Sequence, residues 1–302
     1  MSSEPFSTTT AGALSTGEHR ALTMVRTPPS FIQRFARHRA GVAGAIILIL
    51  MILLAILAPV VAPYDWADQN IAIRWQGASR AHLFGTDELG RDILSRILWG
   101  GRYSLAIGFG AVLISFVVGV TIGTISGFYR RLDGVIQRVV DVTLAFPTIL
   151  LAIAIAAARG PGFFNTIIVI GVTEIPGFIR LTRSSVLSIR EREYVSAARA
   201  LGAVDGRIMV RHIVPSMVSP IVVFASLRIA GALLTGATLS FLGLGVPPPK
   251  PEWGAMISTA RNNLRVAPHT FFIPTAVLFV AVIAANLLGD ALRDTLDPTL
   301  RD

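Results

Sequence analysis

Glu174 and Arg228 are ionisable residues set inside apolar stretches long enough to cross a bilayer. A charge at the centre of such a helix costs about 2.5–3.5 kcal/mol, so each is a candidate for function. Two readings are open for them. They form a structural pair between helices or subunits, or they line a polar pathway that contacts a zwitterionic substrate. Asp141 lies about two turns into another apolar stretch and is expected to bond Arg138 or a neighbouring helix near the cytoplasmic interface, rather than to carry protons. His212 has the chemistry of a pH sensor, but its plainer role is a hydrogen-bonding element of a docking surface.

Other chemistries lack their residues. Cysteine is absent, which removes disulfides, thiol nucleophiles and cysteine-ligated metals. The single lysine, Lys250, sits in Pro247-Pro248-Pro249-Lys250-Pro251, where no phosphate-cradling glycine loop can form. The sequence contains neither a His-Glu-x-x-His zinc helix nor a Gly-x-Ser-x-Gly elbow. The chain is therefore expected to be no enzyme and to bind no cofactor or metal. Any ATP-driven work needs a separate ATPase.

The segment 182–215 carries the densest pattern. Glu193 to Leu201 reads as a helix with a small face of Ala197, Ala198 and Ala200, flanked by Val195 and Leu201. Gly202 suits the position just past its end, where a left-handed φ costs glycine nothing. Asp205 is expected to cap a second short helix, which must end before Pro215. A small-residue face lets another protein approach closely. Arg183, Arg190, Arg192, Arg199, Arg207 and Arg211 surround it and can pair with acidic groups.

These residues need a membrane scaffold. Hydrophobic residues make up 53% of the 302 and charged residues only 15%, against about 25% in soluble domains. Six segments have the roughly 20 mostly apolar residues of a spanning helix: 41–63, 102–127, 135–157, 163–181, 216–241 and 269–290. Pro147 and Pro176 are expected to kink the third and fourth. The small residues Ala230, Gly231, Ala232, Gly236 and Ala237 in the fifth allow close helix contact, within the subunit or with a partner. With both termini inside, the inner segments hold 15 arginines, and the outer ones hold seven together with Lys250. The positive-inside rule accounts for this arrangement, and no nucleic-acid partner is expected. Residues 1–40 read as a cytoplasmic tail in which Phe31, Ile32 and Phe35 alternate with arginines, a short interfacial helix facing membrane lipid. In the outer segment 64–100, Thr86 or Asp87 is expected to cap an amphipathic surface helix bearing Ile93, Leu94, Ile97 and Leu98. Arg91 and Asp92 read there as a link to a partner chain or as a solvated pair. The outer segment 246–268 reads as an extended arm.

At the 182–215 segment the chain resembles the permease subunits of ATP-binding-cassette importers. Their cytoplasmic loop carries Glu-Ala-Ala, three residues, Gly, nine residues, then Ile-x-Leu-Pro. Here the pattern falls on Ser196-Ala197-Ala198, Gly202 and His212-Ile213-Val214-Pro215, with Ser196, His212 and Val214 departing from the usual types. Glu193 lies one turn before the missing acid. Further stretches resemble the C-type subunit of the dipeptide and oligopeptide branch: Phe84-Gly85-Thr86-Asp87, Gly90-Arg91-Asp92, Arg130-Arg131-Leu132-Asp133, Ala145-Phe146-Pro147, Gly160-Pro161-Gly162 and Leu239 to Gly245.

The resemblance implies an all-α type I importer permease in a prokaryotic inner membrane, with residues 41–302 as its transmembrane domain. It implies a second homologous permease subunit, two ATPase subunits carrying ATP and magnesium, and an extracytoplasmic substrate-binding protein. Glu193, Ser196, Ala197, Ala198, Gly202, Asp205, Arg207, Arg211, His212 and Pro215 would then belong to the loop that docks on the ATPase. Dipeptides or oligopeptides are the expected substrates, with nickel, glutathione and opines as alternatives within the branch. A transporter driven by an ion gradient is the rival class, and Glu174 is its one good midplane acid.

Overall fold

The computed structural model describes residues 31–296, and residues 1–30 of the expected cytoplasmic tail lie outside them. Among the described residues the chain is helical and contains no strand. Helix α1 (Phe31–Arg37) is the short arginine-bearing helix expected before the first span. Next come α2 (Arg39–Ile56), the short turn α3 (Ala58–Val61) and the long α4 (Ile93–Phe128). The chain continues with α5 (Arg130–Leu144), α6 (Thr148–Arg159) and α7 (Phe163–Arg190). Two short helices, α8 (Glu193–Ala200) and α9 (Asp205–Ile208), precede α10 (Val214–Phe241), α11 (Trp253–Ala260) and α12 (His269–Leu296).

Five helical stretches are long and apolar enough to cross a membrane: α2, α4, α7, the α9–α10 run and α12. The third expected span, 135–157, is not one helix. It breaks at Ala145-Phe146-Pro147 into α5 and α6, whose axes differ by 91°. Proline forces this break, because it lacks the N–H that would bond one turn back and it pushes the preceding residue out of helical geometry. Pro176, by contrast, stays inside a continuous α7.

The main packing seam explains why the pair still returns the chain across the bundle. Alanine, serine or glycine recurs every four residues along α4 at Ala111, Ser115, Gly119, Gly123 and Gly127. A β-carbon on Gly119 would meet Phe178, one on Gly123 would lie 2.7 Å from Thr182 Cβ, and one on Gly127 would lie 2.7 Å from Val186 Cβ. Both series rise along their helices, so α4 and α7 run parallel with backbones in close approach. Parallel neighbours require the intervening α5–α6 pair to carry the chain back to the opposite end.

The outer connections differ from their sequence reading in three places. Ile93 to Leu98 form the first turns of α4 itself rather than a separate surface helix, because Asp92, not Thr86 or Asp87, caps it by accepting from Ser95 N–H at 2.8 Å. Arg91 and Asp92 are buried within this chain. Arg91 Nε donates to Asp87 Oδ2 at 2.7 Å and its Nη2 to Glu88 Oε1 at 2.8 Å, while Asp92 lies 3.0 Å from His82 Nδ1. The 246–268 arm contains α11, capped by Glu252, which accepts from Gly254 and Ala255 N–H and from Ser104 Oγ at 2.9 Å. Trp253 then inserts against α4, with its ring N–H on the Ile97 carbonyl at 3.1 Å.

The small residues of α10 mostly face inward. Ala230, Ala232 and Ala237 are buried, and a β-carbon on Gly236 would lie 2.8 Å from Ile107. Gly231 alone of that run faces open space.

Candidate functional site

After α7 the chain forms a two-helix elbow whose inner face belongs to the core and whose outer face is bare. Val195, Ile208 and Ile213 are fully buried and join the cluster that includes Phe128, Val186 and Ile189. Three apolar anchors therefore clamp two helices that are too short to persist alone. Glu193 opens α8, where its charge complements the helix N-terminus. The helix ends at Gly202, with φ +84°, while Ala203 N–H bonds the Ala198 carbonyl at 3.1 Å and Gly202 N–H bonds that of Arg199 at 3.0 Å. This double bond pattern requires a left-handed residue at Gly202 and turns the chain sharply.

Two local readings need correction. Val204, not Asp205, holds the cap position of α9, and no side chain bonds there; Asp205 is the first helical residue. The second helix also does not stop before Pro215. Residues Met209–Ile213 widen into a π turn, with Val214 N–H on the Met209 carbonyl, and α10 follows without a break. The wider turn moves the carbonyl that would otherwise collide with the Pro215 ring.

Ser196, Ala197, Arg199, Leu201, Gly202, Asp205, Arg207, Arg211 and Pro215 are exposed, and Ala198 and His212 are half-buried. Leu201 is 88% exposed and Val204 69% exposed at the tip of the elbow. Tyr194 ties the elbow to α10: its ring lies 6.2 Å from that of His212, and its hydroxyl lies 3.2 Å from Ser216 Oγ. Ser216 in turn donates to the His212 carbonyl at 2.7 Å. The result is a stiff, apolar-tipped knob rimmed with arginine.

The elbow's base is tied to α5 by residues that the sequence reading did not single out as a site. Arg183 on α7 grips Asp133 through two hydrogen bonds of 2.5 and 2.6 Å, and Ser126 on α4 donates to the same carboxylate at 2.7 Å. The four-residue spacing of small residues on α4 was the one available signal that α4 and α7 would bring these groups together.

Glu174 and Arg228 meet near the middle of α7 and α10, with Arg228 Nη1 3.4 Å from Glu174 Oε2. The guanidinium also lies 4.6 Å from the Phe224 ring centre, and that ring packs edge-on against Phe178. Asp141 joins neither group. It is exposed, and among the described residues it makes no hydrogen bond or ion pair with Arg138, but its charge acts on Arg183 of the neighbouring α7. No group of three or more His, Asp or Glu side chains among the described residues is arranged to hold a metal ion.

The family described as binding-protein-dependent transport system inner membrane component matches residues 119–302. The N-terminal transmembrane domain of oligopeptide transport permease C matches residues 30–78. The chain is 46% identical over 280 residues to a glutathione transport system permease protein, GsiD, of Pectobacterium atrosepticum, covering 92% of this chain and 93% of that one. It is 44% identical over 270 residues to a dipeptide transport system permease protein, DppC, of Alkalihalophilus pseudofirmus, covering 89% of each. Among solved structures, the MetNI methionine ABC transporter in inward-facing conformations shares the fold. Its TM-score is 0.56 at 16% identity, covering 67% of this chain and 96% of that one.

Proposed function

Because the chain belongs to the family of binding-protein-dependent transport system inner membrane components, we propose that it forms half of the translocation pathway of an ATP-driven peptide importer. It is a multi-pass inner-membrane permease subunit of an ABC importer with a type I fold. The finer reading concerns what it carries and how it is driven. The rival gradient-driven class falls to that family membership.

The observation that carries the coupling reading is the exposed tip Leu201-Gly202-Ala203-Val204 on helices anchored by Val195, Ile208 and Ile213. An ATPase cleft that closes on this tip would move α8 and α9 as a unit. The continuous α9–α10 run would pass the motion to Arg228, and α7 would pass it to Glu174. The Glu174–Arg228 pair offers both charges that a zwitterionic peptide would meet on the way through. Two relatives of high identity are named for glutathione and for dipeptides, both short peptides, which supports a peptide substrate here. ATP and magnesium would sit on the partner ATPases, and an exported binding protein would deliver the substrate.

Mild-detergent purification of the tagged chain from native membranes tests the assembly, with partners identified by mass spectrometry. Two Walker-A proteins, a second six-span chain and a binding protein are expected. Uptake of labelled dipeptides, oligopeptides and glutathione should stop on ATP depletion and survive collapse of the proton and sodium gradients. Recovery of the chain alone, with uptake that follows an ion gradient, would overturn the proposal.

A further inference from the structure

At the arginine-rich end of the bundle, the α4–α5 junction, the end of α7, α8 and α9 enclose an open cavity of about 640 Å³. Its lining is Phe128, Tyr129, Arg130, Arg131, Arg190, Arg199 and Asp205, four guanidinium groups against one carboxylate. Arg190 is fixed by donating to the Gly127 carbonyl at 3.0 Å. Arg130, Arg131 and Arg199 make no hydrogen bond or ion pair with their side chains among the described residues, and Asp205 pairs with none of them. Like charges gathered without partners repel one another, so this cavity favours an anion.

A second observation indicates what kind of anion. From the cavity, α5 runs off with an unpartnered apolar stripe of Leu132, Val135, Val139 and Val142, all exposed and spaced three or four residues apart. Its opposite side is held to the bundle by Asp133 on Arg183 and by Gln137 on Ser126. Tyr129, exposed at the cavity mouth, is an aromatic residue of the kind that sits at headgroup level. A helix that is charged at one end and apolar along one outer face can hold a headgroup at that end and an acyl chain along that face. Basic pockets beside spans on the cytoplasmic side suit anionic headgroups, and a free phosphate would leave the apolar stripe uncovered.

We propose that this cavity binds the phosphate of an anionic phospholipid from the inner leaflet, whose acyl chain lies along the Leu132–Val142 stripe. The site shares Arg199 and Asp205 with the elbow but leaves its tip, Leu201 to Val204, outside the lining, and it does not include the Glu174–Arg228 pair.

Native mass spectrometry of the intact detergent-purified complex tests this, with titration by phosphatidylglycerol and by phosphatidylcholine of the same chains. The wild-type complex should retain a phosphatidylglycerol adduct that phosphatidylcholine does not reproduce. Arg130→Gln with Arg131→Gln should weaken it roughly thirtyfold, from about fivefold per arginine near a membrane surface. Val135→Ser with Val139→Ser leaves the arginines in place and should also weaken the adduct. Retention of the adduct by both double variants would overturn the proposal. So would displacement of phosphatidylglycerol by millimolar inorganic phosphate with the valine variant unaffected, which would assign the cavity to a soluble anion. Loss of the ATPase subunits from the arginine variant, with its lipid adduct unchanged, would assign the arginines to protein docking instead.

Discussion

Arg228 on α10 reaches Glu174 on α7 at 3.4 Å, and the same guanidinium rests 4.6 Å from the Phe224 ring centre. The acid is mostly enclosed, with its side chain 12% exposed, whereas that of Arg228 is 42% exposed. One partner therefore presents its charge to the surroundings of the subunit while the other holds it in place. Each charge offsets part of the other's cost in the membrane.

Reversing both charges, Glu174→Arg with Arg228→Glu, should restore the assembly that either single reversal weakens. If the pair lines the pathway, uptake should stay at least about tenfold below wild type, a barrier rise near 1.4 kcal/mol. Assembly is read by co-purification of the subunits, and transport by uptake in proteoliposomes. Full recovery of uptake in the double variant would make the pair purely structural.

Gly202→Val places a branched side chain at φ +84°, where nothing lies within 4 Å and the penalty is backbone strain alone. The cost is about 1–2 kcal/mol, enough to disturb the α8–α9 angle. Peptide uptake per ATP hydrolysed should fall, whereas Gly202→Asn, which tolerates the left-handed region, should retain more of it. Unchanged coupling in the valine variant would remove the elbow from the transmission path.

Gly123→Val would drive a side chain into the Thr182 β-carbon at 2.7 Å and the Ile179 carbonyl at 2.8 Å. Overpacking of this kind costs about 1–3 kcal/mol and should lower the midpoint of thermal unfolding in detergent. Gly134→Ala, with no atom within 4 Å of its β-carbon, should instead raise it slightly, by about 0.5–1 kcal/mol of helix propensity. Equal behaviour of the two variants would contradict the parallel α4–α7 seam.

Glu252 is 1% exposed and holds together the outer ends of α4 and α11 through Ser104 and two backbone N–H groups. Glu252→Ala leaves those donors unsatisfied and should cost about 1–3 kcal/mol. Glu252→Gln keeps an accepting oxygen and should cost less. Thermal unfolding of the purified subunit distinguishes them.

Much of this was legible beforehand because it depends on local chemistry. Apolar length identified the spans, and the six-crossing topology follows once α5–α6 is counted as a broken return. Gly202 was readable because only a left-handed residue closes that helix end. The readings that failed concerned competition among equally plausible groups. Thr86, Asp87 and Asp92 are all competent caps, and the choice fell to Asp92 because Asp87 is held by Arg91 and Arg96. Asp205 was a competent cap as well, yet Val204 holds that position and Asp205 places its charge inside the first turn of α9.

Composition and order of residues by themselves determined that the chain crosses a membrane repeatedly, that its arginine-rich loops lie on one side, and that an elbow with a glycine hinge sits between two spans. Those properties arise from transfer free energies and backbone preferences, which act within a few turns of helix. Tertiary structure alone decided which charges meet. Arg183 and Asp133 are 50 residues apart, and Ser104 and Glu252 are 148 apart. Their contacts exist because the small-residue face of α4 lets α7 approach, and because Trp253 fits against the first turns of α4. No local preference encodes a pairing over such separations; it follows from how closely the helix backbones can pack.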